Sequence, residues 1–186
     1  MMTGNPPPPS GPGDFEAMYK EEGGAIYGFF LRFLPGGGGA EDCLQETFIR
    51  AWRARDRYEE KDKRRSYLLA IARNVALDYL DREKREGLKA RAWATQGNGG
   101  GDAGPRFAGE RSEGAHETAR LLREKIAELP VPQRESILLY RYHDLSTDEI
   151  ARIQGTTRRA VETHIYRGMK ALRQGLERHR SLFETR

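Results

Sequence analysis

Cysteine occurs once among 186 residues, at Cys43. A single thiol excludes an internal disulfide and a cysteine-based zinc site. No apolar run approaches the roughly 20 residues that a membrane-spanning helix needs. The opening stretch MMTGNPPPPSGPGDF lacks the apolar segment of a secretory signal. These absences predict a cytoplasmic protein with no membrane insertion. Catalytic signatures are missing as well: there is no His-Glu-x-x-His, no Cys-x-x-Cys and no clustered nucleophile and base. Gly36 to Gly39 resemble a phosphate loop only in glycine content. No Gly-Lys-Ser/Thr follows to supply the phosphate-binding lysine and the magnesium ligand. The expectation is no enzyme, no catalytic residue, no metal and no cofactor. Convincing β alternation and internal repeats are lacking too.

What remains is helical and charged. Charged residues make up 32% and hydrophobic ones 37%, which suits helices over modest cores. The net charge of +4 is unevenly spread. Asp14 to Ile49 carries two basic and seven acidic residues, a net of −5. Ala151 to Arg180 carries eight basic and two acidic, a net of +6. Parts with opposite charge meet different partners, and nucleic acid suits the basic one. Residues 1–13 are rich in proline and glycine and read as a disordered tail. Helical patterning fills residues 14–91. The glycine-rich residues 92–116 read as a flexible linker. Helical patterning resumes over 117–186. The fold class is therefore all-α, two small helical domains joined by a tether.

In the first domain Asp14 is a candidate helix cap ahead of Phe15, Met18, Ile26, Phe29, Phe30 and Phe33. A second helix places Leu44, Phe48, Ala51 and Trp52 at helical spacing. A third, with Ser66 as candidate N-cap, turns Leu68, Ile71, Ala72, Val75 and Leu80 inward and ends in charge. In the second domain Leu121, Leu122, Ile126 and Leu129 form one apolar stripe, ended by Pro130 and Pro132. Ile137, Leu138, Tyr140 and Tyr142 form another. STDEIARIQGTTRRAVETHIYRG follows. Ser146 with Glu149 makes a capping box. Gly155 suits the left-handed conformation that ends a helix. Thr157 can cap the next helix, whose Val161, Ile165, Met169 and Leu172 face inward. A capped helix, a glycine turn and a polar-headed second helix match a DNA-binding helix-turn-helix. Thr157, Arg158, Arg159, Glu162, Thr163 and His164 stand near the groove-entering end. Arg167 and Lys170, with Arg173, lie further along, where phosphates are met.

Three motifs in order then resemble one family. AEDCLQETFIRAW, SYLLAIARNVALDYLDREKR and the long stretch from ELPVPQRESILLY to RGMKAL resemble segments of the extracytoplasmic-function sigma factors, the small members of the sigma-70 family. The resemblance implies a bacterial initiation factor that binds core RNA polymerase through its β′ and β subunits. It implies that the first domain docks on polymerase through Asp42, Gln45, Glu46 and Arg50. It also implies that Arg64, Arg65, Tyr67, Arg73, Asn74, Asp78, Arg82, Lys84 and Arg85 recognise the minus-ten element and its melted non-template strand. The helix-turn-helix then reads duplex DNA at the minus-thirty-five element, and an anti-sigma protein is a further partner that such proteins have. Six places depart from the family pattern. Tyr67 stands for the usual tryptophan, and Asp81 for a basic residue. Gln154 stands for an apolar residue, which loosens the turn or leaves its packing to Ile153. Glu162 and His164 stand where basic residues are common, and four glycines replace a charged connection. The alternative is a helix-turn-helix regulator that acts on duplex DNA without polymerase.

Overall fold

A computed structural model of the chain describes residues 12–55, 64–95 and 113–177, with side chains over 15–55, 64–87 and 118–177. Residues 1–11 of the proline-rich tail, most of the charged loop RYEEKDKRRS and residues 96–112 of the glycine-rich stretch lie outside the described residues. The described residues form seven α-helices and a 3-10 turn, with no strand among them.

The first three helices are α1 (Pro12–Phe33), α2 (Ala40–Arg53) and α3 (Arg64–Thr95). The apolar periodicity of each dictates its buried face. Phe29, Phe30 and Phe33 of α1 meet Leu44, Phe48 and Ala51 of α2 and Leu68, Leu69 and Ala72 of α3 in one buried cluster. Trp52 is half-buried and packs edge-on against Phe15, with centroids 5.1 Å apart. Beyond Leu80 the cluster ends, and residues 81–87 of α3 are all exposed. Two expected caps fall inside helices instead. Asp14 lies within α1 and Ser66 within α3, because each helix starts two residues earlier than its first polar cap candidate.

The glycines between α1 and α2 have a structural cause. Gly36, Gly37 and Gly39 have φ of 67°, 69° and 71°, the left-handed region that L side chains avoid. They reverse the chain in a 3-10 turn, Pro35–Gly37, and deliver Gly39 as the N-cap of α2.

The last four helices are α4 (Glu113–Ala127), α5 (Val131–Tyr142), α6 (Thr147–Gln154) and α7 (Arg158–Glu177). Pro130 ends the first stripe as expected, but Pro132 lies in the first turn of α5, where its missing N–H costs nothing. Gly168 lets α7 approach α5 closely: a Cβ there would stand 2.5 Å from Ile137 Cδ1. Gln154 does not loosen the turn. Its Nε2 donates to Ser136 Oγ at 2.9 Å and to the Pro132 carbonyl at 3.3 Å, tying α6 to the start of α5. Three residues expected inside are exposed, namely Tyr140, Tyr142 and Met169. The inward face of α5 is rotated from the periodic estimate. Tyr142 and Met169 instead rim an open groove of about 410 Å³ over Ile126, Ile137 and Leu172.

The two helical groups meet. Six successive residues of α5, Arg134 to Leu139, are buried. A helix covered from one side buries only a stripe. Here α5 is wedged between α7 and α6 on one side and α1 on the other. Arg134 supplies much of the junction. Its Nη1 donates to the Phe33 carbonyl at 2.7 Å and its Nη2 to the Leu129 carbonyl at 3.1 Å. One of the open carbonyls at the end of α1 is thus satisfied from the other domain.

Candidate nucleic-acid interface

The helix-turn-helix is built by local chemistry. Ser146 Oγ accepts from the Glu149 N–H at 3.3 Å, and Glu149 Oε2 accepts from the Ser146 N–H at 2.9 Å. Gly155 ends α6 at φ 64°. The Ala160 N–H donates to Thr157 Oγ1 at 3.2 Å, which caps α7. Ile150 of α6 and Val161 of α7 are fully buried, and Ala151 is buried as well.

This geometry separates residues that the sequence set side by side. Arg158 Nε pairs with Glu162 Oε1 at 2.8 Å, and its Nη1 stands 3.5 Å from Asp148 of α6. The Glu162 bond raises the Arg158 pKa further above its already high value. Arg159 is exposed and has no ion-pair partner among the described residues. Thr163 is half-buried, and its hydroxyl donates to the Arg159 carbonyl at 2.9 Å. His164, placed by the sequence near the groove-entering end, is half-buried with its Nδ1 enclosed. Arg167 and Lys170 are exposed. Sequence reasoning passed over Tyr166, which is 69% exposed on the same helix. A lone aromatic at a position that the buried stripe skips was the available signal.

On α2, Asp42 and Gln45 are exposed and Glu46 is half-buried. Arg50 joins two helices: its Nε meets Glu46 Oε1 at 2.7 Å and its Nη1 meets Asp78 Oδ2 at 2.8 Å. Asp78, grouped by resemblance with the minus-ten set, therefore belongs spatially with Glu46 and Arg50.

The remaining minus-ten candidates are strung along α3. Arg64 pairs with Glu21 at 2.7 Å and Arg65 with Glu22 at 2.8 Å, both acids being on α1. Tyr67 is half-buried and Asn74 is exposed. Arg82 lies over the Tyr79 ring, 5.3 Å from its centroid. Lys84 and Arg85 are exposed, and Arg85 Nε donates to the Asp81 carbonyl at 3.1 Å. From Arg64 to Arg82 the helix rises about 27 Å, so these residues form a track and not a pocket. Arg73 differs from the rest. Its Nε lies 2.5 Å from Oε1 of Glu135, which is 1% exposed on α5 of the other domain.

A three-helix unit with a cationic track, joined to a capped helix-turn-helix, defines a two-part helical DNA-binding protein. Comparison with known proteins narrows that class. Residues 18–86 match the model of sigma-70 region 2, and residues 119–172 match that of sigma-70 region 4. The chain is 31% identical over 166 residues to the ECF RNA polymerase sigma factor SigW of Bacillus subtilis, covering 88% of this chain and 87% of that one. It is 27% identical over 160 residues to the sigma factor CarQ of Myxococcus xanthus, covering 86% and 87%. Among solved structures it resembles the sigma factor RpoE in complex with the anti-sigma factor NepR from Bartonella quintana. That match has a TM-score of 0.68 at 21% identity and covers 88% of this chain and 97% of that one. The chain belongs to the extracytoplasmic-function sigma factors of the sigma-70 family. It is accordingly a subunit that binds core RNA polymerase and promoter DNA for transcription initiation.

Proposed function

We propose how the work is divided within this sigma factor. Residues 14–91 dock on core polymerase through Asp42, Gln45, Glu46 and Arg50, and Asp78 joins that set. The same domain holds the opened minus-ten strand along α3, with Arg64, Arg65, Tyr67, Arg73 and Asn74 at one end. Arg82, Lys84 and Arg85 serve the flanking phosphates at the other. Residues 92–116 connect the domains, and residues 117–186 read the minus-thirty-five element through α7.

Within α7 the base reader is Arg159. The observation that carries this is the contrast between two neighbours: Arg158 is committed to Glu162 and Asp148, whereas Arg159 is exposed and unpaired among the described residues. An unpaired guanidinium offers two donors to the two acceptors of guanine without first breaking an ion pair. Tyr166, two helical turns further along α7, offers an exposed apolar ring suited to a thymine methyl. Arg167 and Lys170 meet phosphates. The chain contributes no catalysis of its own and works in the cytoplasm beside polymerase. An anti-sigma protein is a regulatory partner, as it is for RpoE in the complex above.

Run-off transcription with core polymerase tests the reading. The chain should confer initiation on a template carrying its promoter. A regulator acting on duplex DNA alone would bind that template yet confer no initiation.

A further inference from the structure

Where α1 begins and α2 ends, aromatic side chains gather near the surface. Phe15 and Tyr19 stand one turn apart on α1, and both meet Phe48 of α2 edge-on, with centroids 5.8 and 4.8 Å away. Trp52 of α2 meets Phe15 in the same manner. Phe48 is buried, but Phe15 and Trp52 are half-buried and Tyr19 is 45% exposed. Ile49, three residues before Trp52, is 44% exposed. Single exposed apolar residues need no explanation, whereas a row of them marks a binding surface. The segment that precedes this row has a matching chemistry. Residues 1–11 read MMTGNPPPPSG and contain no ionisable side chain, in a chain that is 32% charged. Pro6 to Pro9 favour polyproline II, a preformed helix that aromatic-lined grooves bind. At about 3.1 Å per residue the run spans about 9 Å. Phe15 to Tyr19 spans about 6 Å along α1. α1 starts at Pro12, so only Ser10 and Gly11 separate the run from the helix. Glycine at position 11 allows the chain to turn back there.

We propose that Pro6 to Pro9 of the chain's own N-terminal segment dock on the row formed by Phe15, Tyr19 and Trp52, ring against ring. Proline has a locked φ, so the run loses little conformational freedom when it docks. The short tether raises its effective concentration at the row, so weak apolar contacts suffice. Gln45 stands one turn before Ile49 on α2. The docked run therefore borders the polymerase-facing set and competes with core polymerase for this part of α2. That consequence rests on reading Gln45 as a polymerase contact; the docking itself does not.

A nitroxide at Asn5→Cys, in a Cys43→Ala background, reports the place of the run in the full chain by nuclear magnetic resonance. It should broaden the Trp52 indole N–H strongly, and a sharp signal overturns the docking. Pro6→Ser, Pro7→Ser, Pro8→Ser and Pro9→Ser together keep the tether and lie ahead of α1, so the fold is not at stake. This four-serine chain should recover the sharp signal. Tyr19→Ser should do the same with the proline run intact. Broadening that survives either change is proximity through the tether alone and overturns the docking. Mixing spin-labelled chains with isotope-labelled ones should give no broadening. Broadening there assigns the row to the segment of a second copy and overturns self-docking. For the consequence, the four-serine chain should bind core polymerase severalfold more tightly than the wild type. Equal affinity overturns the competition, while the resonance data still judge the docking. If Gln45→Ala also binds as tightly as the wild type, it is the polymerase reading of Gln45 that fails.

Discussion

Gly39 presses its Cα against the ring of Tyr79, forty residues on in the chain. A Cβ at Gly39 would fall 2.5 Å from Tyr79 Cζ and 2.7 Å from its hydroxyl oxygen. Backbone conformation adds a second constraint, since Gly39 has φ 71°. Gly39→Ala should therefore lower stability by about 2–4 kcal/mol, about 1 for the left-handed backbone and the rest for overpacking. Gly36 shares the positive φ but has open space around it. Gly36→Ala should cost only about 1 kcal/mol. Urea unfolding of both variants checks the contrast, and equal losses would show that the Tyr79 ring simply moves aside.

Reading of the upstream element should depend on Arg159 more than on Arg158. Arg159→Ala should lose about 1–3 kcal/mol of discrimination at one base position. Arg158→Ala should change base preference less, because the side chain is already held by Glu162 and Asp148. Transcription from promoters with single-base changes measures both. The order of effects reversed would transfer the reader's role to Arg158. Val161→Asp should unfold the helix-turn-helix outright, because it places an unpaired charge at a fully buried position.

Arg50 bridges Glu46 and Asp78 on a largely exposed surface. Arg50→Ala should leave the melting temperature nearly unchanged, since exposed ion pairs contribute about 0–1 kcal/mol. It should weaken binding to core polymerase severalfold, because two acids lose the cation that orients them. Competition against labelled wild type for core polymerase reads this directly. A large fall in melting temperature with normal polymerase affinity would make Arg50 a structural residue only.

Burial pushes the Glu135 carboxyl up to about 7, with Arg73 of α3 and Gln154 of α6 pulling it back. Its folded value lies above its ordinary 4.5, so between those values the folded chain holds a proton that the unfolded chain releases. The stability from this group is full below about pH 4.5 and is lost as pH rises through about 7. Glu135→Gln resembles the protonated form at every pH. The variant should match the wild type near about pH 5 and gain on it towards about pH 8. His143 works in the other direction. Burial first, then Arg65 and Arg32, push it down to about 4, so its contribution is present above 6.5 and lost as pH falls through 4. Both proteins contain His143, and its part cancels in their difference. Thermal melts across pH give that difference, and a flat difference would contradict the assignment.

Sequence by itself determined the helix-turn-helix. Ser146 finds Glu149 three residues on, Gly155 supplies its own left-handed turn, and Thr157 caps Ala160 three residues on. Such contacts close within one helical turn, so their geometry follows from spacing alone. The buried stripes of α1, α2 and α3 were legible for the same reason. Tertiary structure decided which polar groups meet. Arg50 finds Asp78 across 28 residues, and Arg134 finds the Phe33 carbonyl across 101. It turned Tyr142 and Met169 outward, closed the space beside Gly39 with Tyr79, and paired Arg73 with Glu135. A charged residue on a helix face has one signature in sequence whether it meets water, a phosphate or another helix. The choice is made by the docking of distant segments, where desolvation and a fixed partner geometry outweigh the local preferences that periodicity records.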